Sequence, residues 1–174
     1  MKSLSKYIQE KLIIKKINYN YFPETKEELQ DIIKKRIKEE GNKVDLNDID
    51  VSNITDMSNL FEGNDFNGNI SKWNVSNVTN MYGMFCNCIK FNQDISSWDV
   101  SNVKDMSYMF VGCKSFNQDI STWDVSNITN MNSMFYWCKK FNQNISSWDV
   151  SKVKNKYKIF NYCPIEEKYK PKFK

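Results

Sequence analysis

Histidine is absent from the 174 residues. Its absence removes the usual general base, the usual partner of a nucleophile and the commonest metal ligand. Glycine and proline are scarce, at 5 and 3 residues, so neither a collagen-like repeat nor a flexible linker fits. Long apolar runs are missing too. Near the N-terminus the longest aliphatic stretch is Leu12-Ile13-Ile14, flanked by lysines. A secretory h-region needs about 7–15 apolar residues, and a membrane span about 20. No cysteine precedes Cys86, so no N-terminal lipidation cysteine is present. These absences set the expectation of a cytoplasmic chain without a membrane span.

What is there argues for one folded domain. Hydrophobic residues make up 40% and aromatics 14%, too many for disorder over most of the length. Charge is unevenly placed. Residues 1–44 carry net +4, residues 45–150 net −6 and residues 151–174 net +6. A nucleic-acid binder presents its basic groups on the working surface. Here they lie outside the acidic middle, so nucleic acid is not expected.

The middle is repeated. Val51, Val75, Val100, Val125 and Val150 begin matching units. FNQDISSWDVSNV at 91–103 returns as FNQDISTWDVSNI at 116–128 and FNQNISSWDVSKV at 141–153. Alignment gives rows of identical type. Trp73, Trp98, Trp123 and Trp148 form one, with Ile49 ahead of them. Phe66, Phe91, Phe116 and Phe141 form another, and Phe61, Phe85, Phe110, Phe135 and Phe160 a third. A fixed period of this length with apolar rows marks stacking units, none of which buries its apolar side alone.

Within a unit, Met81, Met84, Phe85 and Cys88 fall at i, i+3, i+4 and i+7, which predicts a short helical turn. Trp98 and Val100 alternate with Asp99, which predicts a strand. The fold expected is an α/β solenoid of leucine-rich-repeat-like coils of about 25 residues. Each coil has one short strand and one short helical turn, and a helical cap covers the N-terminal end.

The phrase WDVSNVKDMSYMFVGCKSFNQDIS at 98–121, with near copies at 73–96 and 123–146, resembles the BspA-like leucine-rich-repeat family of bacterial surface proteins. The resemblance covers residues 44–163. It implies a leucine-rich-repeat-like solenoid with one parallel strand per turn, a role in adhesion or protein binding, and placement at a cell surface.

The ends read differently. Residues 1–44 form a lead-in. Leu4, Ile8 and Leu12 would share a helix face, while Ile17, Tyr19 and Tyr21 alternate as on a strand. Thr25 and Glu28 fit a capping box, Leu29, Ile32, Ile33 and Ile37 make an apolar stripe, and Gly41 fits the stop. A helix over about 26–40 follows. Repeats occupy 45–163, and 164–174 is a basic tail.

The chemical readings favour structure over catalysis. Cys88, Cys113, Cys138 and Cys163 form a linear row, which does not converge on a zinc ion; they read as small buried plugs. Identical carboxylates in every coil are the reverse of a unique acid–base pair. Asn and Ser rows read as turn-forming groups. No enzyme, cofactor or metal is expected. The function expected is a monomeric, non-enzymatic scaffold for a protein partner. Its candidate contact strip is Gln93, Asp94, Asp99, Gln118, Asp119, Asp124, Gln143 and Asp149. A surface adhesin, and further off a carbohydrate-active β-helix enzyme, are the alternatives.

Overall fold

A computed structural model describes residues 19–173. The expectations placed on Leu4, Ile8, Leu12 and Ile17 lie outside the described residues. Tyr21 forms a single parallel bridge with Ile49. Helix α1 spans Lys26–Glu40. Thr25 sets its start: the Thr25 hydroxyl accepts from the Glu28 backbone N–H at 3.2 Å. The Glu28 carboxylate reaches back to the Glu24 N–H at 2.8 Å. Gly41, at φ +86°, ends it, and its N–H returns to the Ile37 carbonyl. A left-handed residue at this place is the common way to stop a helix.

The buried side of α1, Leu29 and Ile33, joins the same core as Leu46, Ile49 and Phe61. Arg36 fastens the other edge. Its Nη1 donates to both carboxylate oxygens of Asp48 at 3.0 Å, and its Nη2 donates to the Asp45 carbonyl at 3.0 Å. Glu40 also receives the guanidinium.

From residue 45 onward the units are hydrogen-bonded one to the next. The N–H groups of Met81, Gly83, Phe85 and Asn87 donate to the carbonyls of Asp105, Ser107, Met109 and Val111 at 2.7–2.9 Å. Met106, Tyr108, Phe110 and Gly112 repeat this toward the following unit, and Met131, Ser133, Phe135 and Trp137 repeat it again. Inside, the aromatic rows lie ring over ring. Phe61, Phe85, Phe110, Phe135 and Phe160 follow one another with centroids 5.5–5.7 Å apart. Phe85 also meets Phe91 at 4.0 Å and Phe110 meets Phe116 at 4.2 Å. Burial of these rows is the main stabilising term.

The expected α/β solenoid of leucine-rich-repeat type is corrected by this architecture. Among the described residues there are one α-helix and one 3-10 turn, Glu167–Tyr169, and no helical turn in any unit. No strand or sheet forms either; the parallel pairing is limited to isolated bridges such as Asn80 with Asp105 and Asp105 with Asn130. The physical reasons lie in the backbone. Gly83 and Asn87 have φ of +57° and +60°, as do Tyr108 and Gly112 near +59° and +70°. Two left-handed residues four apart break a helix into consecutive tight turns. Met84 returns to the Met81 carbonyl and Cys88 to that of Phe85, three residues back rather than four. The i, i+3, i+4, i+7 spacing marks which side chains are buried, not a helix. The predicted strand fails because Asp94 and Asp99 each fold the chain on itself. Their carboxylates accept the N–H two residues on, Ser96 at 2.9 Å and Ser101 at 3.1 Å. These two turns lie five residues apart and leave no room for a strand between them.

At the far end, residues 164–173 fold back over the last units. Ile165 is buried. The Ile145 N–H donates to the Tyr169 carbonyl at 3.0 Å, and the Glu166 N–H to the Asn142 side chain at 2.9 Å.

Candidate functional site

The predicted strip divides in two. Gln93, Gln118 and Gln143 are half-buried. Their amide nitrogens donate to the backbone carbonyls of Asn67, Asn92 and Asn117 at 2.9–3.0 Å. Beside them, each Asn side chain accepts the N–H of the next Asn in the row: Asn67 from Asn92, Asn92 from Asn117, Asn117 from Asn142. The glutamines are thus engaged in holding units together.

The carboxylates are exposed, and each closes a turn. Asp119, Asp124 and Asp149 accept the N–H of Ser121, Ser126 and Ser151 at 2.9–3.0 Å, as Asp94 and Asp99 do with Ser96 and Ser101. The Ser96 bonds hold the Asp94 carboxyl below its ordinary range. Ser121 does the same for Asp119. For Asp124 the Ser126 bonds lower the value while nearby Asp149 works against them. Asp94, Gln118 and Asp119 line one shallow depression of about 400 Å³ with Ser96, Ser97 and Thr122. Asp99, Asp124 and Asp149 form a separate row.

The cysteine row is buried at Cys88, Cys113 and Cys138 and half-buried at Cys163. The thiols of Cys88, Cys113 and Cys138 donate to the Phe61, Phe85 and Phe110 carbonyls at 2.9 Å. Burial pushes Cys88 up to about 12 and carries Cys113 and Cys138 well above the ordinary thiol range. Raised thiols are poor nucleophiles. Among the described residues no group of His, Cys, Asp or Glu is placed to hold a metal ion. No helix among them is long and apolar enough to cross a membrane.

A second surface was missed at the sequence level. Tyr82, Ile89, Tyr108, Trp137 and Tyr162 are exposed, between 37% and 61%. Tyr82 meets Tyr108 at 5.5 Å, and a second group lies around Trp137. Tyr136 meets Tyr162 at 5.6 Å, and Trp137 meets Tyr162 at 5.2 Å. Lys139 lies 4.1 Å from the Trp137 ring centre. Next to this cluster is a groove of about 320 Å³ lined by Ile89, Val111, Gly112, Lys114, Tyr136 and Trp137. One signal was available. Trp137 is the fifth tryptophan and stands outside the 25-residue row of the other four. Positions that differ between units are free of the stacking constraint.

The family whose model matches is described as Mycoplasma protein of unknown function, DUF285. The match covers residues 28–136 and, overlapping, 98–168. It corrects the BspA-like leucine-rich-repeat resemblance: a different family describes these repeats, and it has no assigned function. No curated protein and no solved structure matches the chain.

Proposed function

The chain belongs to the DUF285 family, and from that premise we propose that it is a non-enzymatic protein-binding scaffold. Its contact surface is the aromatic face around Tyr136, Trp137 and Tyr162. The observation that carries this reading is the exposed Trp137–Tyr162 pair beside the Ile89–Val111 groove. Trp and Tyr dominate the energetics of protein interfaces, and they do so in clusters next to a pocket. Contiguous exposed apolar surface on a soluble domain marks an interaction site. Lys114 and Lys139 rim the groove, so the partner segment would combine apolar side chains with acidic ones.

The stacked units supply rigidity. Hydrogen bonds between units and continuous aromatic rows fix the spacing of the contact groups, which lowers the ordering cost of binding. Cytoplasmic residence is part of the same reading, since buried free thiols suit a reducing compartment.

Selection of random displayed peptides against the protein tests it. Selected peptides should pair aromatic or aliphatic residues with Asp or Glu. Trp137→Ala and Ile89→Ser should weaken them at least tenfold, with Gln118→Ala without effect. Peptides that bind both variants as tightly as the parent protein would overturn the aromatic face as the contact surface.

A further inference from the structure

The last unit ends in a row of donors that no neighbour among the described residues meets. In every earlier unit the N–H groups at alternate positions bond to carbonyls of the unit that follows, as Ser133, Phe135 and Trp137 bond to Tyr157, Ile159 and Asn161. Their counterparts in the last unit are Lys158, Phe160 and Tyr162. Among the described residues none of these three N–H groups has an acceptor. We propose that this end binds an acidic peptide segment, which accepts the three N–H groups through its own carbonyls and so takes the place of a further unit.

Three observations support the assignment. The donors lie at i, i+2 and i+4, the spacing at which a segment presents carbonyls from one edge, and unpaired backbone edges are templates for an added chain. The tail leaves room. It covers the neighbourhood of Ile145 and Asn142 but leaves a cleft of about 610 Å³ lined by Lys158, Phe160, Lys170, Lys172 and Phe173 among others. The charge is also mainly positive, although Glu167 shares the cleft lining. Residues 151–174 carry net +6. Lys168 pairs with Glu166 and Lys170 with Glu167, whereas Lys158 and Lys172 have no carboxylate partner among the described residues. An acidic occupant complements both.

A second copy of the chain does not fit end to end. The corresponding face of the first unit is covered by α1, where Leu60 and Asn59 share a groove with Ile33 and Ile37. The occupant proposed is an acidic segment of another protein. The site borders the aromatic face at Tyr162, whose ring belongs to that face and whose backbone N–H belongs to this end, so substitutions at Lys158 and Lys172 test this reading and those at Ile89 and Trp137 test the other.

The test uses the full chain and a fluorescein-labelled peptide of alternating glutamate and valine. The peptide should bind, and amide hydrogen exchange at Lys158, Phe160 and Tyr162 should slow at least tenfold. Lys158→Glu combined with Lys172→Glu should weaken binding about tenfold or more without changing the circular dichroism spectrum. Both effects should persist in the Trp137→Ala variant, in which the aromatic groove is disabled. Binding without protection of the three amides overturns the proposal. So does inorganic polyphosphate competing equally well, which would mark a simple polyanion site, and so does a rise in molecular mass with concentration, which would mark self-association.

Discussion

The indole N–H of Trp98 donates to the Ile70 carbonyl of the preceding unit at 3.2 Å. The same oxygen accepts the Trp73 backbone N–H at 3.1 Å. The arrangement recurs with Trp123 on Ile95 and Trp148 on Ile120. Each tryptophan is therefore both core and staple: its ring fills the interior, and its one polar atom ties two units together. Trp98→Phe removes the staple and leaves a small void. Because the Ile70 carbonyl keeps its other donor, the cost should be moderate, about 2 kcal/mol in all. Urea unfolding of the variant against the parent measures it.

The phenylalanine row should show a gradient along its length. Phe110 meets Phe85, Phe116, Trp123 and Phe135. Phe160 meets Phe135 on one side and the Lys170 ammonium on the other. Phe110→Ala should cost about 3–5 kcal/mol, as large-to-small changes in a packed core do. Phe160→Ala should cost less than half of that. Equal losses in chemical denaturation would mean that the end of the row is as well packed as its centre.

Left-handed positions give a paired test. Ser133 holds φ +55° with a side chain. Gly83, its counterpart two units earlier, holds φ +57° without one, and a Cβ there would come within 2.2 Å of the Asn59 side-chain oxygen. Ser133→Gly should therefore be neutral or stabilising by up to about 1 kcal/mol, since glycine relieves the strain at some entropic cost. Gly83→Ala should destabilise by more than 1 kcal/mol, through both conformation and contact. Thermal unfolding of the two variants should shift in opposite directions, or at the least only Gly83→Ala should fall.

These positions also show what could be read in the sequence. Which side chains are buried was legible, because the rows of Phe, Trp, Met and Cys repeat in register. Thr25 and Gly41 wrote the ends of α1 plainly, each through one local bond. Backbone conformation inside the units was not legible. Asn59, Tyr108, Ser133 and Trp137 are left-handed without a glycine to announce it, and the spacing of Met81, Met84, Phe85 and Cys88 suits a helix as well as a series of turns. The contact strip suffered from a similar ambiguity. Gln93 and Gln118 look like surface amides until the carbonyls of Asn67 and Asn92 are seen to lie 26 residues back and within bonding distance. Trp137 was overlooked because attention to what repeats hides what does not.

The thiol row predicts a loss of stability in alkali. Burial raises Cys88 to about 12 and Cys163 to about 11, with Cys113 and Cys138 also raised. An unfolded thiol ionises near pH 8.5. A group whose folded value lies above its unfolded one contributes fully below the unfolded value. That contribution is lost as pH rises, because the unfolded chain releases its proton first. Stability should be flat with respect to these groups below about pH 8. Between about pH 9 and 11 Cys88 should remove about 1.4 kcal/mol per pH unit, and Cys113 and Cys138 should act in the same direction. Lysine and tyrosine titrate in the same range, so the difference between parent and Cys113→Ala isolates the thiol. The variant starts less stable at pH 7 and should lose stability less steeply above pH 9. Parallel curves would show that Cys113 ionises as readily in the folded protein as in the unfolded chain.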